Sequence, residues 1–259
     1  MSDVRTDDLK TGSFDTWATI EAKRAEAVKT VTVKVDHKAA TRQAIIVAIR
    51  KAGIPLMTRS EWKAKPSARS DGPDWDYSAI VIHHAGNSYS CSADGAELIR
   101  KAEDTDIASF GHISYHYAID CKGTIYEALD IREKGAHLKA ANTGKIGIVF
   151  LSDFSLPGEA VAHGPSLSDS FKRGAKAGVA EILGQAKDAV STSWDTPTTP
   201  QLNAVDVLVK TLVEYFKIAM LGGHREFASA NDQGRACPGA HGLKIARDLR
   251  DRYRLDVPK

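Results

Sequence analysis

The sequence predicts an α/β chain with a small α+β extension at its N-terminal end. Three observations carry this. Ala79–His84 and Ile146–Leu151 are short, almost wholly apolar runs of strand length. Long stretches near 171–190 and 199–216 repeat apolar residues every three or four positions, the signature of an amphipathic helix. Two β-rich segments, 115–119 and 124–127, flank Asp120-Cys121-Lys122-Gly123 and read as a hairpin with glycine in its turn.

The elements follow in order. Residues 1–28 are polar, and Asp15–Val28 reads as a helix with Trp17, Ile20 and Val28 on one side, though Arg24 shares that side. Thr30–Val35 alternates like a strand. Thr41–Ala52 places Ala44, Ile45, Ala48 and Ile49 at helical spacing, and Gly53 and Pro55 stop it. Residues 1–55 therefore read as the extension, with packing or targeting as its expected role. A Pro-, Gly- and Ser-rich loop leads to Tyr77. After the 79–84 strand, Ser92 offers a cap for a helix over Ala93–Glu103. Phe171, Ala175, Val179, Ile182, Ala186 and Val190 line the helix inside a long segment, 155–197. Thr199-Pro200-Gln201 starts the next helix. Ile218–Leu221 leads into the His224 loop, and 242–253 is the last helix.

The chain has 259 residues, 42% hydrophobic and 26% charged, with a net charge of +2. That is a globular composition, and near-neutrality argues against nucleic-acid binding. No run has the length of a membrane span. The start, Met-Ser-Asp-Val-Arg-Thr-Asp-Asp, lacks the apolar centre of a signal peptide. Synthesis in the cytoplasm is expected, with release or delivery by another route. Three cysteines make no disulfide framework. Were Cys237 a metal ligand, Cys91 and Cys121 would remain, with unpaired thiols expected and a pair as the alternative.

The chemistry concentrates in Gly222-Gly223-His224-Arg225-Glu226 and Arg235-Ala236-Cys237-Pro238-Gly239, together with the strand that ends in His83-His84. His83, His224 and Cys237 offer two imidazoles and a thiolate. Catalytic zinc commonly takes three such ligands and keeps a fourth position open. Alone, each residue has a plainer reading: a hydrogen-bonded histidine after a strand, or a buried cysteine at a turn.

These blocks resemble the type 2 N-acetylmuramoyl-L-alanine amidases, a family that includes peptidoglycan recognition proteins and phage lysozyme-type amidases. Thr58-Arg59-Ser60-Glu61-Trp62 and Ile80-Val81-Ile82-His83-His84-Ala85-Gly86 are similar to its opening. Ile113-Ser114-Tyr115-His116-Tyr117 with Lys122-Gly123-Thr124-Ile125-Tyr126-Glu127 are similar to its second block. Gly135-Ala136-His137, Asn142 and Ile146-Gly147-Ile148 are similar to the third, and Gly223-His224-Arg225 with Ala236-Cys237-Pro238-Gly239 to the last. The match runs from about residue 56 to 250, in order.

The resemblance implies a central mixed β-sheet flanked by helices. It makes 56–259 a zinc amidase domain with a helical insertion over 155–197, acting on the amide between N-acetylmuramic acid and L-alanine. It places Zn2+ on His83, His224 and Cys237. His84 becomes a neighbour and candidate substrate contact, with ligation as the alternative. Tyr115 falls where some members keep a catalytic tyrosine. Arg235 stands where phage amidases carry lysine, and it can hydrogen-bond an oxyanion but not give up a proton. His137 and Asn142 match groove positions, expected to contact substrate or else to hold a loop. Val149 occupies the place of the catalytic glutamate of cytoplasmic recycling amidases, which favours a tyrosine-type site. The loop between His224 and Cys237 is longer than usual, so that 227–234 would form a lip. Peptidoglycan is the implied partner of a monomer, with an immunity or delivery protein as a further partner. A peptidoglycan-binding module without activity and a thiol hydrolase using Cys237 with His224 as base are the competing readings.

Overall fold

The computed structural model describes residues 11–14, 31–34, 36–159, 195–227 and 236–258. The chain divides into two compact units, 1–47 and 48–259. The division falls inside a helix rather than at the Gly53–Pro55 stop.

In the first unit, β1 (Thr11–Phe14) and β2 (Val31–Lys34) pair antiparallel, with Thr11 opposite Lys34. The predicted helix over 15–28 lies outside the described residues. Helix α1 (His37–Lys51) begins earlier than the apolar spacing indicates, because Asp36 caps it: its carboxylate accepts the Ala39 N–H at 3.1 Å.

The second unit is built on a six-stranded mixed sheet, ordered β3-β6-β5-β7-β4-β8. Its strands are β3 (Leu56–Met57), β4 (Ala79–His84), β5 (Tyr117–Ile119), β6 (Ile125–Glu127), β7 (Lys145–Phe150) and β8 (Met220–Gly223). β5 and β6 form the antiparallel hairpin, and every other pairing is parallel. β4 lies between β7 and β8, so it is buried on both faces and reads as a continuous apolar run. The sheet and its flanking helices fulfil the predicted α/β class. One strand escaped the sequence reading: residues 218–221 are no mere lead-in, since Met220–Gly223 pairs with Ala79–Ile82. Two glycines disguise it. They are needed because a Cβ on Gly222 would come within 2.3 Å of Pro258 Cγ, and one on Gly223 within 2.6 Å of Leu243 Cδ2.

Helix α2 (Gly95–Phe110) covers one face. Its Leu98 and Ile99 pack with Trp62, Ala118 and Val149. Asp94, not Ser92, is its cap, accepting the Ala96 N–H at 2.9 Å, while Ser92 Oγ meets Ser90 Oγ. The helix also runs past Glu103 to Gly111, whose left-handed φ of 84° ends it. Helix α3 (Thr199–Tyr215) opens with a capping box: Thr198 Oγ1 accepts the Gln201 N–H, and Gln201 returns a bond to the Thr198 N–H. Helix α4 (Gly239–Tyr253) packs against β8 and β4. Among the described residues, no helix is long and apolar enough to cross a membrane.

The expectation of unpaired thiols is corrected. Cys91 and Cys121 form a disulfide with Cα atoms 5.5 Å apart, tying the loop after β4 to the β5–β6 turn. The predicted helix of 171–190 lies outside the described residues. The segment's ends meet: Asp195 Oδ2 accepts the Asp153 N–H at 2.8 Å, and the Asp195 N–H donates to the Asp153 carbonyl at 2.7 Å.

Candidate metal centre

β4 ends in two histidines, and a strand's period of two turns them to opposite faces. Ile82 stands opposite Gly223 in the parallel β4–β8 pair, so His83 and His224 leave the carboxyl ends of neighbouring strands side by side. Their ring centroids are 4.7 Å apart. Cys237, two residues before α4, brings Sγ to 3.5 Å from His83 Nδ1. One donor atom from each of the three residues lies within 4.8 Å of the other two. A tetrahedral zinc with usual bond lengths separates its nitrogen and sulfur donors by about 3.6 Å. The donor set and its spacing fit such an ion, and His83 and His224 are buried while Cys237 is partly so.

A partly buried ion pair holds the Cys237 segment. Arg225 pairs with Glu159 at 2.6 Å and donates to the Ala236 carbonyl at 3.0 Å. The Arg225 N–H donates to the Cys237 carbonyl at 3.2 Å. Glu159 also accepts the N–H groups of Leu156 and Ala240, the second of these at the start of α4. Burial works to raise the Glu159 pKa, but those N–H groups and Arg225 more than offset it and hold the carboxyl below its ordinary value. The sign follows: a depressed carboxyl stabilises the fold at neutral pH, and that contribution is lost as pH falls through its lowered pKa. Glu159→Ala is expected to cost about 1–3 kcal/mol of stability at pH 7, because it removes the carboxylate partner of a partly buried guanidinium and the acceptor of two backbone N–H groups. The deficit relative to the parent should shrink on acidification. Denaturant unfolding at both pH values is the check, and a change under about 0.5 kcal/mol at pH 7 would contradict it.

Tyr115 is half-buried, with its ring 4.9 Å from that of His83. Val149 stands opposite His83 in the β4–β7 register and is buried in the α2-facing core. The sheet therefore presents no carboxylate at that position.

The three expected substrate contacts are held by the protein itself. His84 turns away from His83, and its Nδ1 accepts the Phe154 N–H at 3.0 Å. Burial drives its pKa down to about 4, against the pull of Asp153. His137 is 6% exposed. Its Nδ1 is 3.1 Å from His83 Nε2, and its Nε2 is 3.2 Å from the Lys145 carbonyl. Burial first, then neighbouring His116, holds it well below the ordinary histidine pKa. Asn142 Oδ1 accepts the N–H groups of His137 and Leu138 at 2.9 and 2.7 Å. In this geometry Asn142 ties the His137-Leu138 bend.

Arg235 and residues 228–234 of the expected lip lie outside the described residues, while Phe227 is buried against Ala79, Val81 and Leu138. Sequence reasoning missed the Glu159–Arg225 pair and the Lys145 carbonyl. A signal for the crowding beside Lys145 existed: glycine inside the branched run Ile146-Gly147-Ile148 marks a close approach.

Three comparisons bear on this site. A profile of the family described as N-acetylmuramoyl-L-alanine amidase matches residues 73–240. Peptidoglycan-recognition protein SD of Drosophila simulans is 30% identical over 105 residues, 39% of this chain and 56% of that protein. The chain thus spans about half the length of that curated relative. Among solved structures, Drosophila PGRP-LB superposes with a TM-score of 0.53 at 19% identity, covering 79% of this chain and 97% of that one. The endolysin N-acetylmuramoyl-L-alanine amidase LysCS of Clostridium intestinale superposes with a TM-score of 0.50 at 15% identity, covering 78% and 96%. At these identities the structural matches establish the fold.

Proposed function

Since the chain belongs to the N-acetylmuramoyl-L-alanine amidase family, we propose that it is a zinc hydrolase that cleaves the amide between N-acetylmuramic acid and L-alanine in peptidoglycan. The observation that carries this reading is the convergence of His83, His224 and Cys237 at the carboxyl end of the sheet. Zinc held there by His83, His224 and Cys237 would supply Lewis acidity, acidifying water and polarising an amide carbonyl.

The chain's own residues do the rest. Two neutral imidazoles and one thiolate would offset only one of the two charges of a bound dication, so the site would keep positive charge for a developing oxyanion. The half-buried Tyr115 has its ring beside His83. It would orient the attacking water and pass a proton to the leaving amine. Water adds to the lactyl carbonyl carbon, the C–N bond breaks, and the products are a lactyl carboxylate and the amino group of L-alanine. Arg235, two residues before Cys237, would hydrogen-bond the oxyanion. This role rests on its place in the sequence.

A second reading, peptidoglycan binding without hydrolysis, is favoured by one finding: the curated relatives include recognition proteins. Chelation separates the readings. A zinc amidase loses muropeptide release in chelator and regains it with added zinc. A thiol hydrolase built on Cys237 keeps its activity through chelation, and a binding module releases nothing under either condition. We further propose that the chain acts on the wall after release as an endolysin or delivery as an antibacterial effector.

A further inference from the structure

The ring of His137 is buried and locked on several sides. Gly135 and Gly147 make room for it: a Cβ on either would come within 2.8 or 2.6 Å of His137 Cδ2. Tyr115 stacks over it at 6.2 Å with 24° between planes. The Asn142 carboxamide fixes its backbone.

For a neutral ring, the hydrogen bonds of His137 have one assignment. A carbonyl oxygen can only accept, so the proton in the contact with Lys145 sits on His137 Nε2. A neutral imidazole carries one N–H, which leaves His137 Nδ1 as an acceptor. The proton in the next contact therefore belongs to His83 Nε2. A ligating imidazole is neutral, so His83 in that role carries its lone pair on Nδ1, the atom 3.5 Å from Cys237 Sγ.

We propose that His137 is a positioning residue for the metal ligand His83: it takes its own tautomer from the Lys145 carbonyl and holds His83 with the Nδ1 lone pair facing Cys237 and His224. Ligating histidines are commonly fixed through their other nitrogen by a carboxylate or carbonyl. Here a second imidazole relays that instruction from the start of β7. Both nitrogens of His137 are spent in the relay, so it serves as neither substrate contact nor proton donor. The inference rests on the metal reading of His83.

The test uses the full chain with three versions of residue 137. His137→Leu removes the acceptor, while His137→Asn places an amide oxygen close to the position of Nδ1. Zinc affinity is read by competition with a chromophoric chelator. The His83 tautomer is read in metal-free protein from long-range proton–nitrogen correlations of its ring. The expected result is His83 protonated on Nε2 in the parent. Zinc affinity should fall about tenfold to a hundredfold in His137→Leu and stay within about threefold of the parent in His137→Asn. His83 protonated on Nδ1 in the parent overturns the relay, as does a His137→Leu protein that binds zinc as tightly as the parent. An equal loss in both variants also overturns it. If His137→Leu does not fold, the parent tautomer and the His137→Asn affinity still decide. A parent that takes up no zinc defeats the metal reading, and the tautomer spectra then decide the relay separately.

Discussion

Cys237→Ala is expected to hold zinc at least about a hundredfold more weakly than the parent, while remaining folded. The magnitude comes from comparison: changing a residue one shell out from a metal typically costs about tenfold to a hundredfold in affinity, and a direct ligand costs more. Removing the thiolate leaves two neutral imidazoles, so the ion also loses the only anionic donor of the set. The fold should survive because Cys237 lies outside the disulfide and its segment is held by Arg225 and Glu159. Elemental analysis after mild dialysis, with a melting curve as the control, reads both halves. A Cys237→Ala protein that keeps one zinc per chain as tightly as the parent would remove Cys237 from the ligand set. Activity alone would not discriminate, because a thiol nucleophile would also be lost.

Tyr115→Phe is expected to lower muropeptide release about a hundredfold to ten-thousandfold, the usual span for an acid–base group, with zinc content unchanged. The substitution keeps the ring that stacks on His137 and packs against His83, and it deletes only the hydroxyl. Among the described residues, the non-ligating histidines around Tyr115 are occupied. His116 is fully buried, with Nδ1 accepting the Gly147 N–H and Nε2 near the Glu133 carbonyl. His137 has both nitrogens engaged, and His84 faces away toward Phe154. Val149 supplies no carboxylate. Release within about threefold of the parent would take Tyr115 out of proton transfer and leave water itself as the acid.

Much of this site could be read from the chain. An apolar strand ending in His83-His84, a Gly-His-Arg turn and an Ala-Cys-Pro-Gly segment named the ligand candidates before any geometry. The period of two in β4 then decides which histidine faces the others, an argument that needed only knowledge of which face carries the site. Direction was harder to read. The pattern around Gly135-Ala136-His137 located a histidine near the site but could not show that its ring points inward to His83 rather than outward to substrate. β8 was hidden by its own glycines, which leave room for neighbours, Leu243 of α4 beside Gly223 and Pro258 beside Gly222, rather than serving the strand. The Cys91–Cys121 pair joins residues 30 apart in sequence, and spacing alone carries no information on such a contact. The start of α2 offered several capping side chains within a few residues, Ser90, Ser92 and Asp94, and only the backbone path selects Asp94.

The most direct test of the central claim is mass spectrometry of purified peptidoglycan digested by the full chain, with and without chelator. The account predicts stem peptides released with a new L-alanine amino terminus and glycan strands that keep their lactyl groups. It predicts loss of both products in chelator and their return with zinc. Products with new glycan ends, peptide cuts inside the stem, or release that persists in chelator would contradict it.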